Sequence, residues 1–248
     1  KQINTILENS LSVYKVDVTK LKELKPDYII TQAHCEVCAV SFSEIQNIVS
    51  ENLNKNTKII SLQPNTLNDV FNDIKNVATE LNLENETNKK IINNLSVRLK
   101  KIKEISSKAK NKPTIACVEW IDPLMMAGNW IPEMVEIAGG NNILGKSGKD
   151  SHWIKFKEIE EKNPDIIIFL PCGFNIEKTE NELKNFLYQN KDWQSLKAFK
   201  NKDFYIADGN QFFNRPGPRL LESLEIFAEI MHPDLFNFNH KGIGWINY

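Results

Sequence analysis

The 248-residue chain is 41% hydrophobic and 25% charged, with a formal net charge of −1. That is an ordinary globular composition, and the near-zero charge excludes the basic footprint of a nucleic-acid binder. No apolar run approaches the ~20 residues that span a bilayer, no signal-peptide pattern stands at Lys1, and four cysteines are too few for a disulfide framework.

In chain order, Lys1–Val13 reads as a helix remnant with Ile3, Ile6 and Leu7 as its stripe. Residues 17–26 read as a short helix ending at Pro26, followed by a buried strand at Asp27–Thr31. The loop 32–39 carries His34, Cys35, Glu36 and Cys38 and leads into a helix near Ser43–Leu53; the next strand is Lys58–Leu62. This alternation is a βαβ pattern and predicts a parallel sheet.

From Thr66 to Lys110 apolar residues recur at Val70, Ile74, Val77 and Leu81, then at Ile91, Leu95, Leu99, Ile102 and Ile105. That is helical spacing, opened by a Thr66/Asp69 capping signature and closed by Pro113. One helix of that length would span on the order of 60 Å, with the mostly polar stretch Asn82–Asn88 as the point where it would kink or break. The pattern then restarts. Strands are predicted at Thr114–Glu119, Asp165–Leu170 and Phe204–Ala207. Helices are predicted at Trp130–Ala138, Phe156–Pro164, Glu180–Gln189 and, amphipathic and last, Arg219–Met231. The segments Trp120–Asn129, Pro171–Asn175 and Asp208–Pro218 read as loops. The expected fold class is therefore α/β: two Rossmann-like lobes with parallel sheets, joined by one long backbone α-helix. The expected boundaries are 1–65, 66–110 and 111–248.

Four blocks carry a resemblance to a known family. They are Leu21–Ile30 with its Lys-Pro-Asp step, Trp130–Leu144 with its Gly-Gly-Asn-Asn exit, Asn163–Ile168, and Arg215–Glu222 at the entry of the last helix. They resemble the substrate-binding proteins of ABC importers that have a rigid helical backbone and carry cobalamin, haem or ferric siderophores. Cys35-Glu-Val-Cys38 and Glu119-Trp-Ile-Asp-Pro123 resemble the cobalamin-binding branch. The resemblance implies capture of cobalamin or a related corrinoid in an inter-lobe cleft, with no enzymatic step and little lobe closure. It also implies delivery to the permease and ATPase subunits of an importer, a monomer, and a periplasmic or extracellular, membrane-anchored location. Against the family pattern, the sequence lacks about fifty residues of the amino-terminal lobe ahead of the position of Lys1, on the usual size of such units, so the first lobe, 1–65, is expected to be incomplete and to lack one wall of the cleft.

Ligands of parallel sheets lie at the carboxyl ends of the strands. The loops there offer the aromatics Trp120, Trp130, Phe174, Phe212 and Phe213, with Asn129 as a polar group and Trp153 on a further loop. A flat macrocycle needs apolar faces and a few donors; alternatively these aromatics close the lobe cores. Glu119 and Asp122 flank Trp120 and suit hydrogen bonds to ligand amides, as do Glu36 and Arg215. As an acid–base pair the two carboxylates lack a nucleophile, phosphate loop or triad. Cys35 and Cys38 offer a redox or metal-binding alternative, with Cys172 as a third thiol and His34 as an axial donor to a bound cofactor; they also fit as small packing residues. Arg215 and Arg219 leave a haem or ferric-siderophore ligand open. In the family, acids on the lobe tips dock on permease arginines. Glu44 matches in the first lobe and the uncharged Asn214 stands at the matching place in the second, where Glu177 or Glu180 would substitute. His152, His232 and His240 have no ligand spacing and read as surface or capping residues.

Overall fold

The computed structural model describes residues 16–32, 40, 42–53 and 56–248. The helix expected at Lys1–Val13 and the cluster of His34, Cys35, Glu36 and Cys38 lie outside them. The chain divides between Pro64 and Asn65 into two units.

In the first unit, α1 (Val18–Leu24) is capped by the Asp17 carboxylate, which accepts from the Lys20 N–H at 3.0 Å, and it ends on Lys25 in the left-handed region. Pro26 then forbids further helix, and β1 (Tyr28–Gln32) follows. After α2 (Phe42–Asn52), β2 (Lys58–Leu62) pairs in parallel with β1, Tyr28 opposite Lys58. Ile45 and Val49 of α2 and Ile60 of β2 are buried. The expectation of a fully buried β1 fails, because Ile30 is 49% exposed.

The second unit opens with the helical stretch, and its expected single rod is broken. α3 (Leu67–Glu80) starts at a complete Thr66/Asp69 capping box. It ends in a left-handed cap: Asn82 has φ +57°, its N–H donates to Thr79 O, and the Leu83 N–H reaches Ala78 O at 2.7 Å. This 6→1 and 5→2 pair of bonds is a Schellman motif, with Asn in the position that L-residues other than Gly and Asn avoid. The helix resumes as α4 (Glu84–Thr87), passes through a π-helical turn over Asn88–Ile92 and continues as α5 (Asn93–Ser106).

A seven-stranded sheet follows. Its strands are β3 (Thr114–Trp120), β4 (Met125–Met126), β5 (Asn141–Asn142), β6 (His152–Trp153), β7 (Ile166–Phe169), β8 (Phe204–Ala207) and β9 (Trp245–Asn247). The order is β6-β4-β3-β7-β8-β9, with β5 also on β3. β5, β3, β7 and β8 run parallel; β4 and β9 are antiparallel to them, and β6, antiparallel to β4, runs in the common sense again. The strands alternate between two cores. Ile115, Cys117, Ile166 and Ile168 face α3, α5, α6 (Ile131–Ile137) and α10 (Leu220–Met231). Ala116, Val118, Ile167 and Phe169 face α7 (Phe156–Lys162), α8 (Ile176–Gln189) and α9 (Lys197–Lys200). Covered on both sides, β7 is buried throughout, as an interior parallel strand should be.

Three further expectations need correction. The stretch read as the loop Trp120–Asn129 contains β4. α8 begins at Ile176 rather than Glu180, because the Asn175 side chain accepts from the Lys178 N–H and caps it there. α10 is not amphipathic: every residue except Glu222 is buried. The segment after it supplies the cover: His232 bears out the capping reading as the C-cap of α10, and neither it nor His240 is a surface residue. The His232 ring is buried against Gly139 O at 3.2 Å, and His240 Nε2 lies 3.0 Å from Glu225 Oε2. Arg98 of α5 bonds the other oxygen of Glu225, and Trp245 donates its indole N–H to Glu229 at 2.8 Å. Two carboxylates in a helix interior are tolerable only when so partnered.

Candidate functional site

The carboxyl ends of β3, β7 and β8 carry three loops that approach closely. Asn214 Nδ2 donates to Leu170 O and Gly209 O. A Cβ on Gly209 would stand 2.1 Å from Pro171 O, so only glycine permits that contact. The Asp208 carboxylate accepts from the Asn210 and Gln211 N–H groups, which fixes the start of the loop after β8. A shallow hollow of about 380 Å³ opens here, lined by Gly173, Asn175, Lys178, Asn181 and Asn210 among others.

A bulge sets the apolar part of the site. Val118 pairs with Met126, and both lie in one core; one extra residue then lets Trp120 pair with Met125. Without that irregularity Trp120 would share the buried face of Val118; a bulge re-aims a side chain in this way. Met125 in turn pairs with Trp153 of the edge strand β6. Directly opposed residues share a face, so Trp120, Met125 and Trp153 form one row across three strands, about 10 Å wide at the usual strand spacing. Phe174 extends the row, its ring 5.2 Å from that of Trp120, with Lys178 Nζ 3.6 Å from its centroid. The Trp120 indole N–H is held by Asp122 O at 3.1 Å. Trp153 is 61% exposed. The row is thus an aromatic and thioether ledge at a sheet edge, a surface that accepts flat, polarisable ligands.

The structure separates the expected residues into groups. Trp120 and Phe174 are in the ledge, and Asp122 is exposed on the turn beside it. Glu119 is half-buried and tied down next to the row: Ser151 Oγ–H donates to Glu119 Oε2 at 2.7 Å, and burial pushes its carboxyl above the usual range. Asn129 has φ +52° and a buried Oδ1 without a hydrogen-bond partner among the described residues. Trp130 and Phe212 belong to the core, 4% and 6% exposed; the Trp130 indole donates to Phe213 O, and Phe212 packs on Phe213 and His240. Arg215 is exposed and folded back on Asn210. Cys172 is exposed, and Cys117 is buried. Glu44 stands in the first turn of α2. Among the described residues no group of His, Cys, Asp and Glu could hold a metal ion, and no helix is long and apolar enough to cross a membrane.

Sequence reasoning missed Met125 and Ser151 and left Trp153 aside. The apolar run Leu124-Met-Met-Ala127 was the available signal for β4. Nothing in the sequence marks Ser151.

Residues 9–210 match the model of the family described as periplasmic binding protein. The chain is 30% identical over 122 residues to the high-affinity haem uptake system protein IsdE of Staphylococcus aureus, 47% of this chain and 41% of that one. The chain therefore spans less than half of that relative's length in sequence. The structure of the same IsdE complexed with haem superposes with a TM-score of 0.72 at 20% identity, covering 88% of this chain and 81% of that one. An uncharacterized ABC transporter substrate-binding lipoprotein of Bacillus subtilis, YvrC, is 23% identical over 229 residues, 89% of this chain and 67% of that one. The periplasmic vitamin B12 binding protein BtuF of Vibrio cholerae superposes with a TM-score of 0.63 at 17% identity, covering 88% and 78%. At these identities the structural likeness is one of fold. Its proteins are solute binders and not enzymes, and the match over residues 9–210 settles membership: the chain belongs to the periplasmic binding protein family.

Proposed function

We propose that the protein is the solute-binding component of an ABC importer and that it captures a flat tetrapyrrole-type macrocycle, in the first reading cobalamin or a related corrinoid. The observation that carries this is the row Trp120–Met125–Trp153 with Phe174 beside it. A small polar solute has no use for an aromatic ledge about 10 Å wide, whereas a conjugated ring gains dispersion and stacking over the whole row. Asp122, exposed on the turn beside it, is an acceptor for donors on the ligand fringe. The mechanism is equilibrium binding on a surface whose loops are already fixed by the Gly209, Asn214 and Asp208 contacts, which spares ordering entropy.

Haem is the second reading, favoured by the sequence likeness to a haem uptake protein. The partners are the permease and ATPase subunits, with Glu44 as a docking acid in the first unit. Glu177, which lines the hollow near the start of α8, is the candidate in the second. The location is extracytoplasmic and membrane-anchored, in line with the lipoprotein YvrC.

Absorbance titration with cyanocobalamin, haemin and a ferric catecholate tests the proposal. Saturable spectral change with cyanocobalamin supports the first reading, and a Soret shift with haemin alone moves the assignment to the second. No change with either ring ligand overturns the tetrapyrrole proposal.

A further inference from the structure

Trp120 and Trp153 stand on strands that are not neighbours, with only the two-residue β4 between them. β6 is itself two residues long and lies at the sheet edge, and pairing of that length is marginal without added contacts. The added contacts converge one residue before Trp120 and two before Trp153. Ser151 Oγ donates to Glu119 Oε2 at 2.7 Å and accepts the Gly128 N–H at 3.0 Å, so one hydroxyl joins the end of β3, the segment after β4 and the segment before β6. The backbones seal the same seam. The Asn129 N–H donates to Lys149 O at 2.6 Å, and the Gly148 N–H donates to Asn129 O at 2.9 Å. A Cβ on Gly128 would stand 2.3 Å from Lys149 O and 2.6 Å from Ser151 N, an approach only glycine allows.

We propose that Ser151 and Glu119 are positioning residues for the ligand ledge, their hydrogen bond fixing the edge strand and with it the spacing of Trp153 from Trp120. This assigns Glu119 to the support of the ledge rather than to its ligand surface. The consequence for binding rests on the ledge being the ligand surface; the positional claim does not.

The test separates the two. The full 248-residue chain is labelled with 5-fluorotryptophan, and the Trp153 fluorine resonance is assigned with Trp153→Phe. In the ligand-free protein, Ser151→Ala should shift or broaden the Trp153 resonance while the buried Trp193 resonance stays in place, reporting an intact core. Ser151→Thr, which keeps a hydroxyl, should restore it. If Ser151→Ala disturbs Trp193 as well, the nearly isosteric Ser151→Cys, with its weak donor, is read instead. An unmoved Trp153 resonance in the readable variant overturns the proposal. With whichever of cyanocobalamin or haemin binds, Ser151→Ala should weaken binding about three- to tenfold and should add nothing in a Trp153→Ala background. Fully additive losses would overturn the claim that Ser151 acts through Trp153. If neither ligand binds the unaltered protein, the tetrapyrrole reading falls, and the fluorine spectra still decide the positional claim.

Discussion

Two buried glutamates of the second unit titrate in opposite senses, and the difference lies in their partners. Burial raises the Glu119 carboxyl, and one hydroxyl and one amide only partly offset it. The folded protein therefore holds that proton more tightly than the unfolded chain. Its contribution is favourable below the unfolded pKa and is lost as pH rises through the raised folded value. Glu119→Gln keeps an acceptor without the charge, so its melting temperature relative to the parent should increase between pH 4 and pH 7; calorimetry showing the reverse trend would refute the sign. For Glu225, burial also raises the carboxyl, but the bonds from His240 and Arg98 outweigh it and the net shift is downward. That stabilisation is present above the unfolded pKa and is lost as pH falls through the lowered one. Glu225→Ala should destabilise the fold by about 3 kcal/mol at pH 7, because it strands the Arg98 cation. The loss, read by urea unfolding, should shrink in acid.

At the scale of elements, the broken rod shows how one residue stops a helix that periodicity alone would continue. Asn82 takes the left-handed position and Leu83 closes the Schellman bond. Asn82→Ala should cost about 1 kcal/mol, since Ala pays the left-handed penalty, while Asn82→Gly should be neutral or slightly stabilising. Denaturant midpoints check both; a stabilising Ala would mean that the chain prefers a continuous helix. The signal was legible as a polar stretch from Asn82, though its geometry was not. α10 teaches the opposite lesson. Glu222, Glu225 and Glu229 fall at helical spacing and read as a solvent stripe. Two of the three are buried, because Arg98 arrives from α5, 127 residues earlier, and His240 and Trp245 arrive from the segment after the helix. No local pattern encodes partners that distant.

For the whole molecule, the question is which aromatics face outward. The sequence offered Trp120, Trp130, Phe174 and Phe212 on equal terms. Tertiary packing keeps Trp120 and Phe174 for the ledge, sends Trp130 and Phe212 into the core and adds Trp153 from the edge strand. Because Trp153 is largely exposed, Trp153→Ala should leave the melting temperature within a degree or two and weaken ring-ligand binding at least about tenfold, or ~1.4 kcal/mol. A matched loss of stability, or unchanged affinity, would remove Trp153 from the ligand surface. Trp130→Ala should do the converse and destabilise by about 3–5 kcal/mol, as expected of a buried indole.

The sequence by itself determined the main helices and the strands β1, β2, β3, β7 and β8, because hydrophobic period, caps and proline stops are local and act within one turn or one strand; the short strands β4, β5, β6 and β9 form only by pairing with segments that the chain brings to them. It also carried the family, through blocks whose residue types are set by those same local geometries. Only the tertiary structure decided the faces: the bulge that turns Trp120, the edge pairing that brings Trp153 into line, and the cover that buries the acids of α10. Each depends on contact between segments far apart in the chain. Burial is a property of such contacts, not of a residue's type.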